Sequence, residues 1–278
     1  MPTVHRITSL ELPELQPYRT LRRPQEHLVR GIFVAEGAKV VRRLLASNLS
    51  VVSLLLTVDW LNQMEAETKD LVADLYVAEK DLLETIVGFR MHQGIMAVAC
   101  VPREPSLDDL VRSSNPPRLF VAIDGLVFAE NVGVVVRNCA AFGVQGILVG
   151  ATSASPYLRR AVRNSMGTVF QIHVIHSKSL SDSLKDLRTK HGTSVIIADA
   201  HTDASLYAQN LTKDVCLVFG NEDAGVSPEV ESNATAMVRI PMKTGVDSLN
   251  VASASAVILG EVSRQRSLPG PSNNPNPH

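Results

Sequence analysis

Three short stretches gather the residues able to do chemistry. The first is "DGLVFAENVGVVVRNCAAFG" (124–143), with Asn131, Gly133 and Arg137. Its apolar residues surround a helix almost completely, and Arg137 sits among them. A buried guanidinium is costly unless paired. One turn earlier on the same face, Gly133 leaves room beside it. Arg137 then serves an anionic or polar ligand at a strand-to-helix edge, or it snorkels to the surface or meets a core carboxylate. Asn131 is positioned to cap this helix. The second stretch is "VFGNEDAGVS" (218–227), where a strand runs into a loop with Gly220, Gly225 and Glu222. Two glycines let a ligand approach the backbone closely, although Gly, Asn and Asp are also ordinary turn residues. The third is "IPMKTGVDSLNVASASAVILGEV" (240–262). Either Asp247 or Ser248 can cap the helix that follows, which accounts for one polar residue and not for Asp247, Ser248 and Asn250 together. The thin turns Ala252–Ala256 let another backbone or a flat ligand come near.

The elements that must hold these residues read as α/β. "GIFVAEGAKVVRRLLAS" predicts a strand and then a helix, with Val34, Val40, Val41, Leu44 and Leu45 on an apolar stripe. "VVSLLLT" and "GIMAVACV" predict strands, and "NQMEAETKDLVADL" an amphipathic helix. A second alternation begins at "LFVAID" (119–124). It continues through a helix from Asn131 to Phe142, "GILVG", a helix near 156–164, "FQIHVI", a helix near 178–190, "SVIIADA", "VCLVFG", a short helix after Ser227, "AMVRIPM" and a helix from about 249 to 264. Apolar strand runs alternating with helices imply a mostly parallel sheet covered on both faces. The boundaries expected are a small N-terminal α/β domain over 1–103, a Pro/Ser-rich linker with one helical turn over 104–117, a larger α/β domain over 118–266 and a disordered tail over 267–278.

Composition excludes several classes. With 45% hydrophobic and 20% charged residues, the chain is an ordinary globular one, and its formal net charge of −1 rules out a polycation. Charge is nevertheless uneven. Residues 1–43 carry eight Lys/Arg against four acids, and residues 154–190 seven against two. An acidic stretch lies between them, with four Lys/Arg against eleven acids over 51–110. Two basic stretches could form a footprint for a polyanion. Cys100, Cys139 and Cys216 sit in apolar runs without CxxC pairing, so a disulfide framework or zinc site is not expected, and a reducing compartment fits. The N-terminus lacks the apolar region of a secretory signal, and no apolar run approaches a membrane span of about 20 residues. Neither GxGxxG after a strand nor GxxxxGK[ST] occurs. "RNSMG" (163–167) has Arg163 where a nucleophile elbow needs glycine, which disfavours a hydrolase. His173, His176, His191 and His201 lack metal-ligand spacing, so no metal is expected.

Taken together, "NVGVVVRN…AFG", "VFGNEDAGVS" and "IPMKTGVDSLNVASASAVILGE" resemble the three motifs of the SpoU (TrmH-type) RNA ribose methyltransferases of the SPOUT superfamily. The resemblance covers roughly 118–265. In addition, "FVAEGAKVVRRLLAS" and "FRMHQGIMAVA" look like the family's appended RNA substrate-binding domain, commonest in ribosomal RNA enzymes. Two departures stand out. "FAEN" lacks the proline that often precedes the first Asn-x-Gly, and Ala252 replaces a common serine.

The resemblance implies a C-terminal parallel-sheet domain with a deep trefoil knot, a feature nearly absent from proteins otherwise. It also implies a homodimer that completes the active site, and S-adenosyl-L-methionine as the cofactor. Asn131, Arg137, Glu222, Ser248 and Asn250 match the family's catalytic and substrate-positioning residues. Gly220, Asn221, Ile240, Met242, Ser248 and Leu249 match its cofactor-binding positions. The expected reaction methylates a ribose 2′-oxygen in RNA, with 23S-type ribosomal RNA as the first expectation. Transfer RNA, or a noncatalytic RNA-binding role in ribosome assembly, is the alternative. Arg22, Arg23, Arg30, Arg42 and Arg43 are the candidate RNA contacts. A cytoplasmic location without membrane attachment is expected.

Overall fold

The computed structural model describes residues 2–71, 73–87 and 94–267. Part of "FRMHQG" and the tail beyond Ser267 therefore lie outside the described residues. The chain divides into two compact units. One comprises the chain through Glu104 with Phe128–Arg137 and Ala154–His173; the other comprises Pro105–Val127, Asn138–Ser153 and the chain from Val174 on.

The first unit is built on a mixed sheet in the order β1-β4-β3-β5-β2. Its strands are β1 (Thr3–Arg6), β2 (Ile32–Glu36), β3 (Val51–Leu56), β4 (Asp74–Val77) and β5 (Ile95–Cys100). β4 runs parallel to β1 and β3, whereas β5 is antiparallel to β3 and β2. Short helices α1 (Gln16–Arg19) and α2 (Pro24–Val29) precede β2, and α3 (Ala38–Leu45) follows it. Val40, Val41 and Leu44 are buried at helical spacing, while Val34 belongs to β2 rather than to their stripe. The helix expected over 62–75 does not form. It gives way to α4 (Val58–Gln63), α5 (Glu65–Thr68) and then β4. Leu75, Tyr76 and Val77 are buried between two strand neighbours, so pairing overrides the local helical pattern. α6 (Lys80–Val87) completes this part of the chain.

The second unit holds a six-stranded sheet in the order β11-β9-β10-β6-β7-β8. Its strands are β6 (Leu119–Ile123), β7 (Gly146–Gly150), β8 (His173–Ser177), β9 (Ser194–Ala198), β10 (Val215–Phe219) and β11 (Ala236–Val238). The pairings of β6 with β7 and β10, and of β9 with β10 and β11, are parallel. β6, β7 and β10 are buried at every residue, as continuous apolar runs in a two-sided sheet should be. The helices are α7 (Leu107–Ser113), α8 (Ala129–Ala141), α9 (Arg159–Asn164), α10 (Leu180–His191), α11 (Pro228–Glu231) and α12 (Val251–Ser267). α7 lies where a linker is expected, and it buries Leu110 and Val111. α8 divides between the units at Arg137, and α9 belongs to the first. Ile123, Ala198 and Phe219 are register partners, so the loops after β6, β9 and β10 leave the sheet together at its carboxyl edge, the usual place for a site in such sheets.

The last helix is fastened at its far end. Arg266 donates to the carbonyls of Pro117 (2.7 Å), Arg118 (3.0 Å), Leu211 (3.1 Å) and Lys213 (2.7 Å). Burial lowers its affinity for the proton, but these carbonyls hold the charge in place. Arg266→Met is expected to lower stability by about 1.5–3 kcal/mol, the range for losing hydrogen bonds from a charged donor. Urea unfolding followed by circular dichroism measures this.

Candidate active site

A cavity of about 520 Å³ opens at the carboxyl edge, within the second unit. Its walls come from the ends of β9 and β10, the loop 220–226 and the stretch 239–251. Local chemistry shapes the loop. Asn221 and Gly225 exchange backbone hydrogen bonds at 2.8 and 2.9 Å, and Gly225 takes φ +70°. The Asn221 amide oxygen accepts from the N–H groups of Asp223 and Ala224, each at 3.0 Å, and its Nδ2 donates to the Gly125 carbonyl at 2.8 Å. The Asn221 side chain therefore organises the loop and ties it to the chain after β6. Asp124 adds a second tie, its carboxylate accepting from the N–H and hydroxyl of Ser227 at 2.7 Å.

The cavity brings together Gly220, Asn221, Glu222, Ile240, Met242, Ser248 and Leu249. Leu249 is 39% exposed at its rim, and one carboxylate oxygen of Glu222 is shielded from solvent. Carboxylates dominate the charged lining. Asp199, Glu222, Asp223, Glu231 and Asp247 stand against Arg239.

Asn250 caps the final helix, contrary to the expectation for Asp247 or Ser248. Its amide oxygen accepts from Ala252 N at 2.9 Å, and its carbonyl accepts from Ala254 N. A cap satisfies N–H groups of the first turn. Asn138 Nδ2 braces the same turn, donating to the Ala252 carbonyl and Ser255 Oγ, each at 2.9 Å.

Asn131 and Arg137 belong to α8 in the first unit. The helix begins at Ala129, so Asn131 lies inside its first turn and does not cap it. Arg137 is exposed rather than buried. The expected space at Gly133 does not exist, because a Cβ there would meet the Ala161 carbonyl at 2.5 Å and Asn164 Cβ at 2.7 Å. Gly133 is small because α9 packs on it.

Residues 118–260 match the model of the SpoU rRNA Methylase family. The chain belongs to this family. An uncharacterized tRNA/rRNA methyltransferase of Mycobacterium tuberculosis is 30% identical over 267 residues, which is 93% of this chain and 91% of that one. The AdoMet-bound rRNA methyltransferase from Sinorhizobium meliloti superposes with a TM-score of 0.80 and 26% identity, covering 94% of this chain and 98% of that one. A solved RNA 2′-O ribose methyltransferase does so at 0.78 and 27%, covering 95% and 100%. The SpoU fold expected from the motifs is thus the fold of this chain.

The candidate RNA contacts of this SpoU chain all lie in the first unit, and most have partners there. Arg23 pairs with Glu26 at 3.3 Å, and Arg30 donates to Gln16 Oε1 at 2.9 Å. Arg42 pairs with Glu67 at 3.3 Å, and its guanidinium lies over the Trp60 ring. Arg43 donates to the Met166 carbonyl at 2.6 Å. Arg22 is exposed. Ser165 is fully buried, and its hydroxyl donates to Val162 O at 2.9 Å, a structural role. Cys139 and Cys216 are buried thiols; burial pushes the proton affinity of both up, that of Cys216 to about 12. Among the described residues, no cluster of three or more His, Cys, Asp or Glu could hold a metal, and no helix is long and apolar enough to cross a membrane. Sequence reasoning missed Asp199, His201 and Arg239 on the cavity wall. A usable signal was present: "SVIIADAHTD" places an acid just past the carboxyl end of a strand, where sites in parallel sheets lie.

Proposed function

We propose that this SpoU-family chain methylates the 2′-oxygen of a ribose in RNA, with 23S-type large-subunit ribosomal RNA as its substrate and S-adenosyl-L-methionine as its cofactor. The observation that carries the reading is the cavity, which gathers the positions matching the family's cofactor site around one opening. Its volume lies within the roughly 300–1,000 Å³ of small-molecule sites. Phe219, Ile240, Met242 and Leu249 offer apolar walls for a flat ring, and Gly220 offers bare backbone. The acidic lining favours a ligand with a positive centre. When bound, S-adenosylmethionine supplies the methyl group as an activated sulfonium.

The protein's own residues align the reacting centres and handle the hydroxyl proton. Arg137 holds the phosphate next to the target ribose and stabilises negative charge developing on the 2′-oxygen. A free guanidinium keeps its proton at physiological pH, so the proton passes to a phosphate oxygen or water. Glu222 and Ser248 fix the geometry at the cavity, and Asn131 that of α8. Asn250 acts through its cap, which sets the start of α12 and with it Ser248 and Leu249. The knot is part of this proposal. Ala252, Ser253, Ala254 and Ser255 make the helix start thin, as a close backbone crossing requires. The proposal also includes a cytoplasmic homodimer. Val246, Leu249 and Val257 are large apolar side chains left exposed along 246–257 in a single copy, and a second copy would cover them.

Calorimetry with S-adenosylmethionine tests the reading. Wild type is expected to bind at micromolar levels, and Leu249→Arg to lose binding by filling the rim of the cavity. Radiolabelled methyl transfer to ribosomal or transfer RNA then identifies the substrate. Absence of cofactor binding, even with RNA present, would replace the enzyme with a noncatalytic RNA-binding factor.

A further inference from the structure

We propose that helices α3 and α9 form a track for the phosphate backbone of RNA, an inference that rests on the reading of the chain as an RNA methyltransferase and deepens it. The two basic stretches of the sequence, one ending at Arg43 and the other beginning near Arg159, are far apart along the chain. The fold joins them inside one unit, where both helices pack on β2.

Glu36, at the end of β2, is the pivot. One of its carboxylate oxygens is paired with Arg159, and Arg163 reaches the other at 3.3 Å. The Glu36 and Arg159 side chains are 14% and 16% exposed, so this pair is the inner, structural half. Arg163 is 53% exposed on a longer contact. One carboxylate cannot neutralise two guanidinium groups, and the charge left over sits outward, on Arg163. An exposed ion pair of this length is weak in water and yields readily to a phosphate, which a guanidinium grips with a matching fork.

α3 brings Arg43 to the same place. Its donation to the Met166 carbonyl uses one of the five N–H donors a guanidinium carries. Met166 has φ +54°, a left-handed conformation that non-glycine residues seldom hold, so the Arg43 bond offsets a local strain and fixes the Arg43 side chain beside α9. Lys39 is exposed one turn before Arg43 on the same helix face. On α9, Arg160 is 68% exposed and pairs with Glu130 at 2.9 Å. Arg163, Arg43 and Lys39 thus present outward cations from two helices, held in register by the largely shielded Glu36–Arg159 pair.

The test measures binding of fluorescently labelled 23S ribosomal RNA and transfer RNA across a salt series. The proteins are wild type, Lys39→Gln/Arg163→Gln, each single variant, and Arg112→Gln/Lys190→Gln, which removes two exposed charges elsewhere. Each lost phosphate contact should lower the salt slope by about 0.7–0.9, and losing two should weaken low-salt binding about tenfold. The double variant is expected to show both effects on both RNAs, and each single variant about half. Cofactor binding and melting temperature should stay at wild-type values, and the Arg112/Lys190 control should bind RNA as wild type does. An unchanged slope in the double variant, or an equal loss in the control, overturns the track while the methyltransferase reading stands. Wild type that binds neither RNA nor S-adenosylmethionine overturns that reading, and the track with it.

Discussion

Arg137→Ala is expected to lower methyl transfer by at least about a hundredfold to a thousandfold, the effect of removing one donor aimed at developing negative charge. The fold and cofactor affinity should hardly change. The physical reason for the split is the position of Arg137. It is exposed on α8, and trimming an exposed side chain away from special features alters stability by about 0.5 kcal/mol or less. The residue also lies outside the walls of the cavity, so trimming it removes nothing that the cofactor touches there. Arg137→Lys separates charge from shape. If charge alone suffices, the lysine variant restores most of the turnover. If the planar fork must grip a phosphate and the 2′-oxygen together, lysine stays near the alanine level. Single-turnover transfer of labelled methyl to RNA, run beside calorimetry on the same proteins, reads both effects. Turnover retained in Arg137→Ala would remove this residue from the mechanism.

The parallel sheet was legible because its strands are buried on both faces. "LFVAI", "GILVG" and "VCLVF" are apolar at every position, and each is buried at every position. β1 carried no such signal, since "TVHR" lies at a sheet edge with three of its four residues exposed. β4 was hidden differently: its residues also fit a helical stripe, and only non-local partners decide between the two. For Arg137 the sequence leaves a core position and the surface both open, and the structure decides for the surface. The helix around it reads as apolar all round, but Arg137 and Ala141 share an exposed face one turn apart while Val132, Val135, Val136 and Cys139 are buried. Local spacing suggests room for a ligand at Gly133, but the chain that fills it, Ala161, is 28 residues away and sequence spacing carries no trace of it. The cavity residues were legible only as a set. Glu222 or Leu249 alone is an ordinary loop residue, and only the three motifs in order pointed to a single site. Asp199 and Arg239 belong to none of the three motifs. The place of Asp199 just past a strand end is a local hint, and the sheet order that seats β9 between β10 and β11 brings both residues to one cavity.

The same loop offers the sharpest structural test of the cavity, because its two glycines are there for different reasons. A Cβ on Gly220 would stand 2.4 Å from the Gly225 carbonyl carbon and 2.5 Å from Val226 N. These are backbone atoms and no rotamer change can relieve the contact. Gly220→Ala must therefore push the 220–226 loop away from the strand end, and with it Asn221 and Glu222 on the cavity wall. Overpacking of this kind costs about 1–3 kcal/mol of stability, and a displacement of about 1 Å at a site can cost about a hundredfold in function. Gly225 has open space around its missing side chain but takes φ +70°. Gly225→Ala thus adds strain of about 1–2 kcal/mol without a clash, and the loop can keep its path. The expected result is a pair of variants with similar losses in melting temperature and different affinities for S-adenosylmethionine: near wild type for Gly225→Ala, clearly weaker for Gly220→Ala. Should Gly220→Ala bind the cofactor normally, the 220–226 loop is not the wall against which the cofactor rests, and the site must lie on the other side of the cavity, along 239–251. Equal loss in both variants would instead mean that the loop works as one rigid piece, in which the left-handed turn at Gly225 matters as much as the close approach at Gly220.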